Sequence, residues 1–220
     1  MSAEGPLRDG KPTGFDLIET LRWEPDVGFI RLDRHLARLS ASAAELGFAF
    51  DKGTAAAALS EAVRGADAPM RMRLLLPADG TAATTAQPFQ PLPSETVWRL
   101  KLARATLFSG DRLLRHKTTR REIYAQARAE YSAAEAAEVL LANERGELCE
   151  GTITTLFADF GDGILQTPAL DCGLLAGVLR AELLDAGKAR EATLTMANLR
   201  TAHTLYVGNS LRGLIAARLA

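Results

Sequence analysis

The apolar residues of this chain switch repeatedly between alternation and helical spacing, and that switching restricts the fold to a mixture of strands and helices interleaved along its whole length. Residues 15–23 alternate imperfectly, with apolar side chains at 15, 17, 21 and 23, and read as a strand. Glu24-Pro25-Asp26 turns the chain into a hairpin partner over residues 28–32. Leu32, Leu36, Leu39, Ala43 and Leu46 then recur at helical spacing, with Asp33 as candidate N-cap and Gly47 as C-cap. A second helix is expected over residues 55–63, a strand over 70–76, a proline-bearing loop over 81–95 and a strand over 97–103. Beyond these come a long helix over residues 119–135, a buried strand over 138–143 and a strand over 152–160. Gly161-Asp162-Gly163 reads as a hairpin turn, since it lacks the third glycine of a dinucleotide loop and leads into a strand. Two helices over about 176–186 and 195–199 and a strand over 204–207 complete the pattern. The expected class is α/β or α+β, with two sub-domains meeting near residues 103–112.

Charge and composition exclude several functions. Lysine plus arginine (26) nearly balances aspartate plus glutamate (27) in 220 residues, so no global field recruits nucleic acid or an acidic membrane. An anionic ligand must be held by local arginines and backbone amides. The first residues, Met1 to Gly5, lack a basic start followed by an apolar run, and no stretch approaches a membrane span, so a cytoplasmic protein is expected. Residues 1–13 have no periodicity and read as a partly ordered arm. Cys149 and Cys172 make no disulfide framework and have no zinc-site spacing, so no metal is expected; Cys149 is expected to pack as a small apolar residue.

Three stretches carry chemistry. In residues 114–124, Lys117 is followed by the stiff pair Thr118-Thr119 and by Arg120 and Arg121; a lysine in cationic or desolvated surroundings becomes available as an amine nucleophile. The same residues also suit a solvated basic face leading into a helix. About thirty residues on, Glu150-Gly151-Thr152-Ile153-Thr154-Thr155 sets a carboxylate before a glycine and a row of hydroxyls, suited to a protonated ring nitrogen and a phosphate or ring oxygen. Leu175-Ala176-Gly177-Val178-Leu179-Arg180 starts a helix with small residues at its entry, where unpaired amides form an anion site.

With these elements in order, the chain resembles the class IV aminotransferases, pyridoxal-phosphate enzymes of fold type IV. The resemblance runs from about residue 15 to 216 and is carried by His35-Leu36-Ala37-Arg38-Leu39, Glu150-Gly151 with Leu156-Phe157, and Leu175-Ala176-Gly177-Val178-Leu179-Arg180. Within the family it is most similar to 4-amino-4-deoxychorismate lyases, through residues 15–23, His116-Lys117-Thr118-Thr119-Arg120 and Gly208-Asn209-Ser210-Leu211-Arg212-Gly213-Leu214. The resemblance implies a two-domain architecture like that of D-amino-acid aminotransferase, with a smaller domain over residues 1–105 and a larger one over 106–220 carrying the cofactor lysine.

It also implies the site. Lys117 matches the lysine that bonds to pyridoxal 5'-phosphate and then shuttles protons, and Glu150 the acid facing the pyridine nitrogen. Arg38 and the amides of Val178 and Leu179 match the phosphate ligands. Asn209 and Ser210 match a loop beside the phosphate and the substrate carboxylate. Arg212 is a candidate contact for a substrate carboxylate, and Glu19 and Thr20 are candidates for the substrate side, a strand edge facing solvent being the alternative. Thr155 departs from the asparagine usual at its position. The implied reaction releases 4-aminobenzoate and pyruvate from 4-amino-4-deoxychorismate, a step towards folate; the alternative is an aminotransferase acting on branched-chain or D-amino acids. A small-molecule amine substrate and a homodimer are implied with either.

Overall fold

The computed structural model describes residues 14–220, and the arm expected at residues 1–13 lies outside the described residues. The chain divides into two compact units. Described residues up to Gln90 group with Lys117–Arg120, and Pro91–His116 group with Arg121–Ala220.

In the first unit β1 (Leu17–Glu24), β2 (Gly28–Phe29), β3 (Met70–Leu76) and β4 (Ala83–Pro88) form an antiparallel sheet in the order β2-β1-β3-β4. Helices α1 (Leu32–Leu46) and α2 (Lys52–Ala62) join it. Leu17 and Leu21 of β1, Leu36 and Leu39 of α1, Leu59 of α2 and Met72, Leu74 and Leu76 of β3 make one core. Each such side chain removed from water contributes about 1.5–3 kcal/mol. Alternation places Glu19 between Leu17 and Leu21 on the face that packs against α1.

The second unit contains β5 (Val97–Leu107), α3 (Glu122–Ala129), β6 (Glu138–Asn143), β7 (Leu148–Gly151), β8 (Thr155–Asp159), β9 (Leu165–Pro168), α4 (Val178–Asp185), β10 (Ala189–Ala192), α5 (Met196–Thr201), β11 (Thr204–Asn209) and β12 (Gly213–Leu219). Its strands form one mixed sheet in the order β10-β9-β8-β11-β12-β5-β6-β7. Strand β6 lies parallel to β5 and antiparallel to β7. Leu140 feeds one hydrophobic cluster while Val139 and Leu141 feed another, which accounts for a strand that reads as continuously apolar.

The structure differs from expectation where tertiary pairing overrides local pattern. Helix α1 begins at Leu32 behind a left-handed Arg31 (φ 59°), so Asp33 lies in the first turn, where its charge opposes the helix dipole, and does not cap; Gly47 does close the helix (φ 74°). Strand β4 runs through the segment expected as a loop, its proline standing at the end of an edge strand. Helix α3 is shorter than expected, because Thr119 is tied to Asp16 by bonds in both directions and the chain stays extended there. Strands β10 and β12 were not foreseen, and β12 is internal, paired with both β11 and β5. The expected division at residues 105/106 is not the one along which the chain groups: β5 is continuous through Leu107, and Lys117–Arg120 pack with β1. The hairpin turn at Gly161-Asp162-Gly163 is present between β8 and β9.

Candidate active site

Lys117 is held by its backbone. A short 3-10 turn, Arg112–Arg115, delivers the chain to it, and the next residues run antiparallel to β1 through a Leu17–Thr118 bridge. Ile18 N donates to Lys117 O at 2.9 Å. On the far side Thr119 N donates to Asp16 O and Asp16 N to Thr119 Oγ1, both at 2.9 Å. The β-branched pair after the lysine thus splints Lys117 to a strand, and its half-buried side chain starts from a fixed Cα.

Glu19, on the same strand, is 2% exposed, and its carboxylate gathers α1. Arg38 donates through Nε to Oε1 at 2.8 Å and through Nη2 to Oε2 at 2.6 Å, a two-pronged pair. His35 Nδ1 lies 2.7 Å from Oε2, and facing a carboxylate it is the donor. Burial pushes the Glu19 carboxyl up, but the Arg38 charge and the hydrogen bonds from His35 and Arg38 outweigh it and bring the pKa down to about 2. Glu19 therefore fixes the orientation of the guanidinium of Arg38, while Thr20 projects half-buried from the opposite face of β1.

In the second unit Glu150, 6% exposed on β7, accepts at Oε1 from the Tyr124 hydroxyl at 2.6 Å and from Leu175 N at 3.3 Å. The residues after it are gripped by Glu138. That carboxylate accepts from the Thr152 amide (3.0 Å) and hydroxyl (2.5 Å), the Ile153 amide (3.1 Å) and the Thr154 hydroxyl (2.8 Å). Gly151 is required by this clamp: a Cβ there would stand 2.8 Å from Glu138 Oε2 and closer still to Thr154 Oγ1. Asn209 Nδ2 donates to Ile153 O at 3.2 Å and its Oδ1 accepts from Arg212 N at 3.0 Å, so the β11–β12 turn carrying buried Ser210 and half-buried Arg212 is fastened to the same loop.

Helix α4 starts at Val178, with no side-chain hydrogen bond capping its end. The first-turn amides of Val178 and Leu179 point out of the positive end, suited to a phosphate. Thr155 Oγ1 would lie 2.8 Å from a Cβ on Gly177, so only glycine admits the hydroxyl this close to the helix entrance. The threonine that stands in place of asparagine is thereby packed against the start of α4, 5% exposed.

Of the expected site residues, Lys117, Arg38 and Thr20 lie in the first unit, and Glu150, Val178, Leu179, Asn209, Ser210 and Arg212 in the second. Glu19, a candidate for the substrate side or a solvent-facing edge, is instead buried against Arg38 and His35. Two supporting residues were missed: Glu138, which heads an apolar run, and Tyr124, which carries no signal of its own in the helix. Taken unit by unit, a splinted lysine and an oriented guanidinium in the first, and a buried carboxylate and an uncapped helix start in the second, are each of the chemistry that pyridoxal phosphate requires. Cys149 is buried, its Sγ donating to Cys172 O at 3.1 Å, in keeping with the packing role expected of it. Among the described residues no helix is long and apolar enough to cross a membrane, and no group of metal-ligating side chains is present.

The chain is also similar to known proteins along most of its length. The family model described as amino-transferase class IV matches residues 16–219. A Schizosaccharomyces pombe protein named "Putative aminodeoxychorismate lyase" is 31% identical over 206 residues, covering 90% of this chain and 86% of that protein. The crystal structure of a "Putative amino-acid aminotransferase" from Mesorhizobium loti is 60% identical, covers 94% of this chain and 100% of its own, and superposes with a TM-score of 0.92. That of 4-amino-4-deoxychorismate lyase from Pseudomonas aeruginosa is 26% identical, covers 100% of this chain and 88% of its own, with a TM-score of 0.79.

Proposed function

We propose that this chain, which belongs to the amino-transferase class IV family, is a pyridoxal-phosphate-dependent lyase converting 4-amino-4-deoxychorismate to 4-aminobenzoate and pyruvate. The observation that carries the reading is Glu150, a buried carboxylate accepting from Tyr124 and set in a loop whose hydroxyls and amides are locked by Glu138. Such a group holds a proton on a ring nitrogen, which is what this cofactor requires of its protein. The similarity to proteins named as aminodeoxychorismate lyases, at 31% and 26% identity, supports the substrate.

When bound, pyridoxal phosphate supplies an electron sink for the carbon bearing the substrate amine. Lys117 would hold the cofactor, and its free amine would take the proton from the amine-bearing carbon of the substrate. Glu150 keeps the ring nitrogen protonated. Arg38, oriented by Glu19, and the amides of Val178 and Leu179 bind the phosphate. Asn209 and Ser210 lie beside the phosphate and the substrate, Arg212 pairs with a substrate carboxylate, and Thr20 lines the substrate side. Loss of the enolpyruvyl group as pyruvate would leave an aromatic ring, which draws the elimination forward. The enzyme works as a cytoplasmic homodimer.

A second reading, an amino-acid aminotransferase, is favoured by the 60% identity to the Mesorhizobium loti protein. Lys117, Glu150 and the phosphate ligands serve both reactions; the substrate-facing side chains decide. Protein purified with pyridoxal phosphate is expected to show a visible absorption band that borohydride discharges, with the cofactor fixed to Lys117. Supplied with aminodeoxychorismate and no keto acid, it is expected to release pyruvate over many turnovers. Turnover only with added 2-oxoglutarate would establish the aminotransferase instead, and a protein that takes up no cofactor would end both readings.

A further inference from the structure

Tyr124 is a buried titratable side chain in contact with Glu150, and the proposed chemistry leaves it without a task. It lies on α3, 8% exposed, and its hydroxyl meets Glu150 Oε1 at 2.6 Å. Arg121, just before the helix, places its guanidinium 4.3 Å from the Tyr124 ring centroid and donates through Nη2 to the Thr152 carbonyl. One short segment therefore grips the Glu150-Gly151-Thr152 stretch at both ends, at a carboxylate and at a carbonyl two residues on. We propose that Tyr124 is a positioning residue for Glu150: its hydroxyl, steadied by the stacked Arg121, fixes the carboxylate's orientation and keeps it ionised, so that Glu150 can hold a proton on the cofactor's ring nitrogen.

The direction of the hydrogen bond follows from the chemistry around it. Burial, and after it the Glu150 charge, push the Tyr124 phenol well above its usual range, so it remains a donor wherever the protein is folded. A hydrogen bond to the charged form favours that form, and a carboxylate in an apolar interior otherwise shifts towards the neutral acid. Cys149, the neighbour on β7, is itself pushed up by burial and then by Glu150, so it stays a neutral thiol and adds no competing charge. Glu138 is engaged by the loop at residues 152–154, and Leu141, paired with Glu150 across the sheet, is apolar. Arg121 and Tyr124 are thus the polar partners that α3 and the residue before it bring to this carboxylate and its loop.

This inference rests on the proposed use of pyridoxal phosphate, but its first test needs no cofactor. Tyr124→Phe keeps the ring and its packing and deletes only the hydroxyl. In cofactor-free protein labelled at glutamate carboxyl carbons, with the Glu150 resonance identified by its loss in Glu150→Gln, the Glu150 titration midpoint is expected to rise by about one to two pH units in Tyr124→Phe. In the loaded protein, the ring nitrogen of 15N-labelled cofactor is expected to lose its proton at lower pH in Tyr124→Phe than in the wild type. A purely structural tyrosine would change stability and leave both midpoints in place, which would overturn the proposal. If Tyr124→Phe does not fold, the Tyr124 hydroxyl proton of the wild type is expected to give a slowly exchanging resonance that moves when Glu150→Gln is introduced, and an unmoved resonance likewise overturns it. Wild-type protein that binds no cofactor would defeat the proposed function, while the carboxyl titration would still decide the role of Tyr124.

Discussion

Replacing Glu19 by glutamine removes the charge that holds Arg38 and His35 while leaving shape and volume almost unchanged. The magnitude can be worked from the site. The carboxyl falls from an ordinary 4.5 to about 2 on folding, which at about 1.36 kcal/mol per pH unit corresponds to about 3 kcal/mol of stability. Removing one member of a buried ion pair typically costs about 3–5 kcal/mol. Arg38 retains 13% exposure of its side chain, so solvent relieves some of its stranded charge and the lower end applies. Because the folded-state value lies below the unfolded one, this stabilisation is complete above about pH 4.5 and is lost as the pH falls towards 2. Urea unfolding followed through Trp23 on β1, in a Trp98→Phe background that silences the second unit, reads the first unit directly. The wild type is expected to exceed Glu19→Gln by about 3 kcal/mol at pH 7, with the two converging near pH 2. A gap that does not change with pH, or none at pH 7, would refute the account of Glu19 as an ionised anchor. On the proposed role of Arg38 as a phosphate ligand, Glu19→Gln should also weaken binding of pyridoxal phosphate more than that of pyridoxal.

Gly151→Ala is expected to cost about 2 kcal/mol or more in urea unfolding and to speed amide exchange at Thr152 and Ile153, since the new Cβ displaces the Glu138 carboxylate from 2.8 Å; wild-type exchange rates there would sink the clamp argument. Cys149 is held far above the ordinary thiol range by burial first and Glu150 second, so at pH 8 the folded protein is expected to react with a thiol reagent at least about a hundredfold more slowly than the unfolded chain. Labelling of Cys149 at an unfolded-chain rate would contradict that burial.

The sequence by itself determined the mixture of elements and offered candidates for the groups with chemistry. Alternation in residues 15–23, helical spacing from Leu32 to Leu46 and the apolar run at residues 138–143 each fell in a real element, because a half-buried strand, an amphipathic helix and a doubly buried strand each impose their own period. Lys117 and Glu150 were picked out by the order of motifs that the chain shares with class IV aminotransferases and not by local pattern, since the stretch around Lys117 also suits a solvated basic face. The Glu19 gap in β1 was also readable, since a charge in an apolar register must find a partner inside. What only the tertiary structure decided is where pairing came from distant chain. Strands β4 and β12 carry no strong pattern of their own, and they exist because β3, and β11 with β5, offer unsatisfied edges. Helix α3 starts late because Asp16, a hundred residues upstream, holds Thr119. The partners of the key groups are of the same kind: Tyr124 with Glu150, Glu138 with residues 152–154 and Glu19 with Arg38 meet across 14 to 26 residues of chain. No local propensity encodes such meetings, because the energy that selects them comes from burying charges and apolar surface together once the sheets have formed.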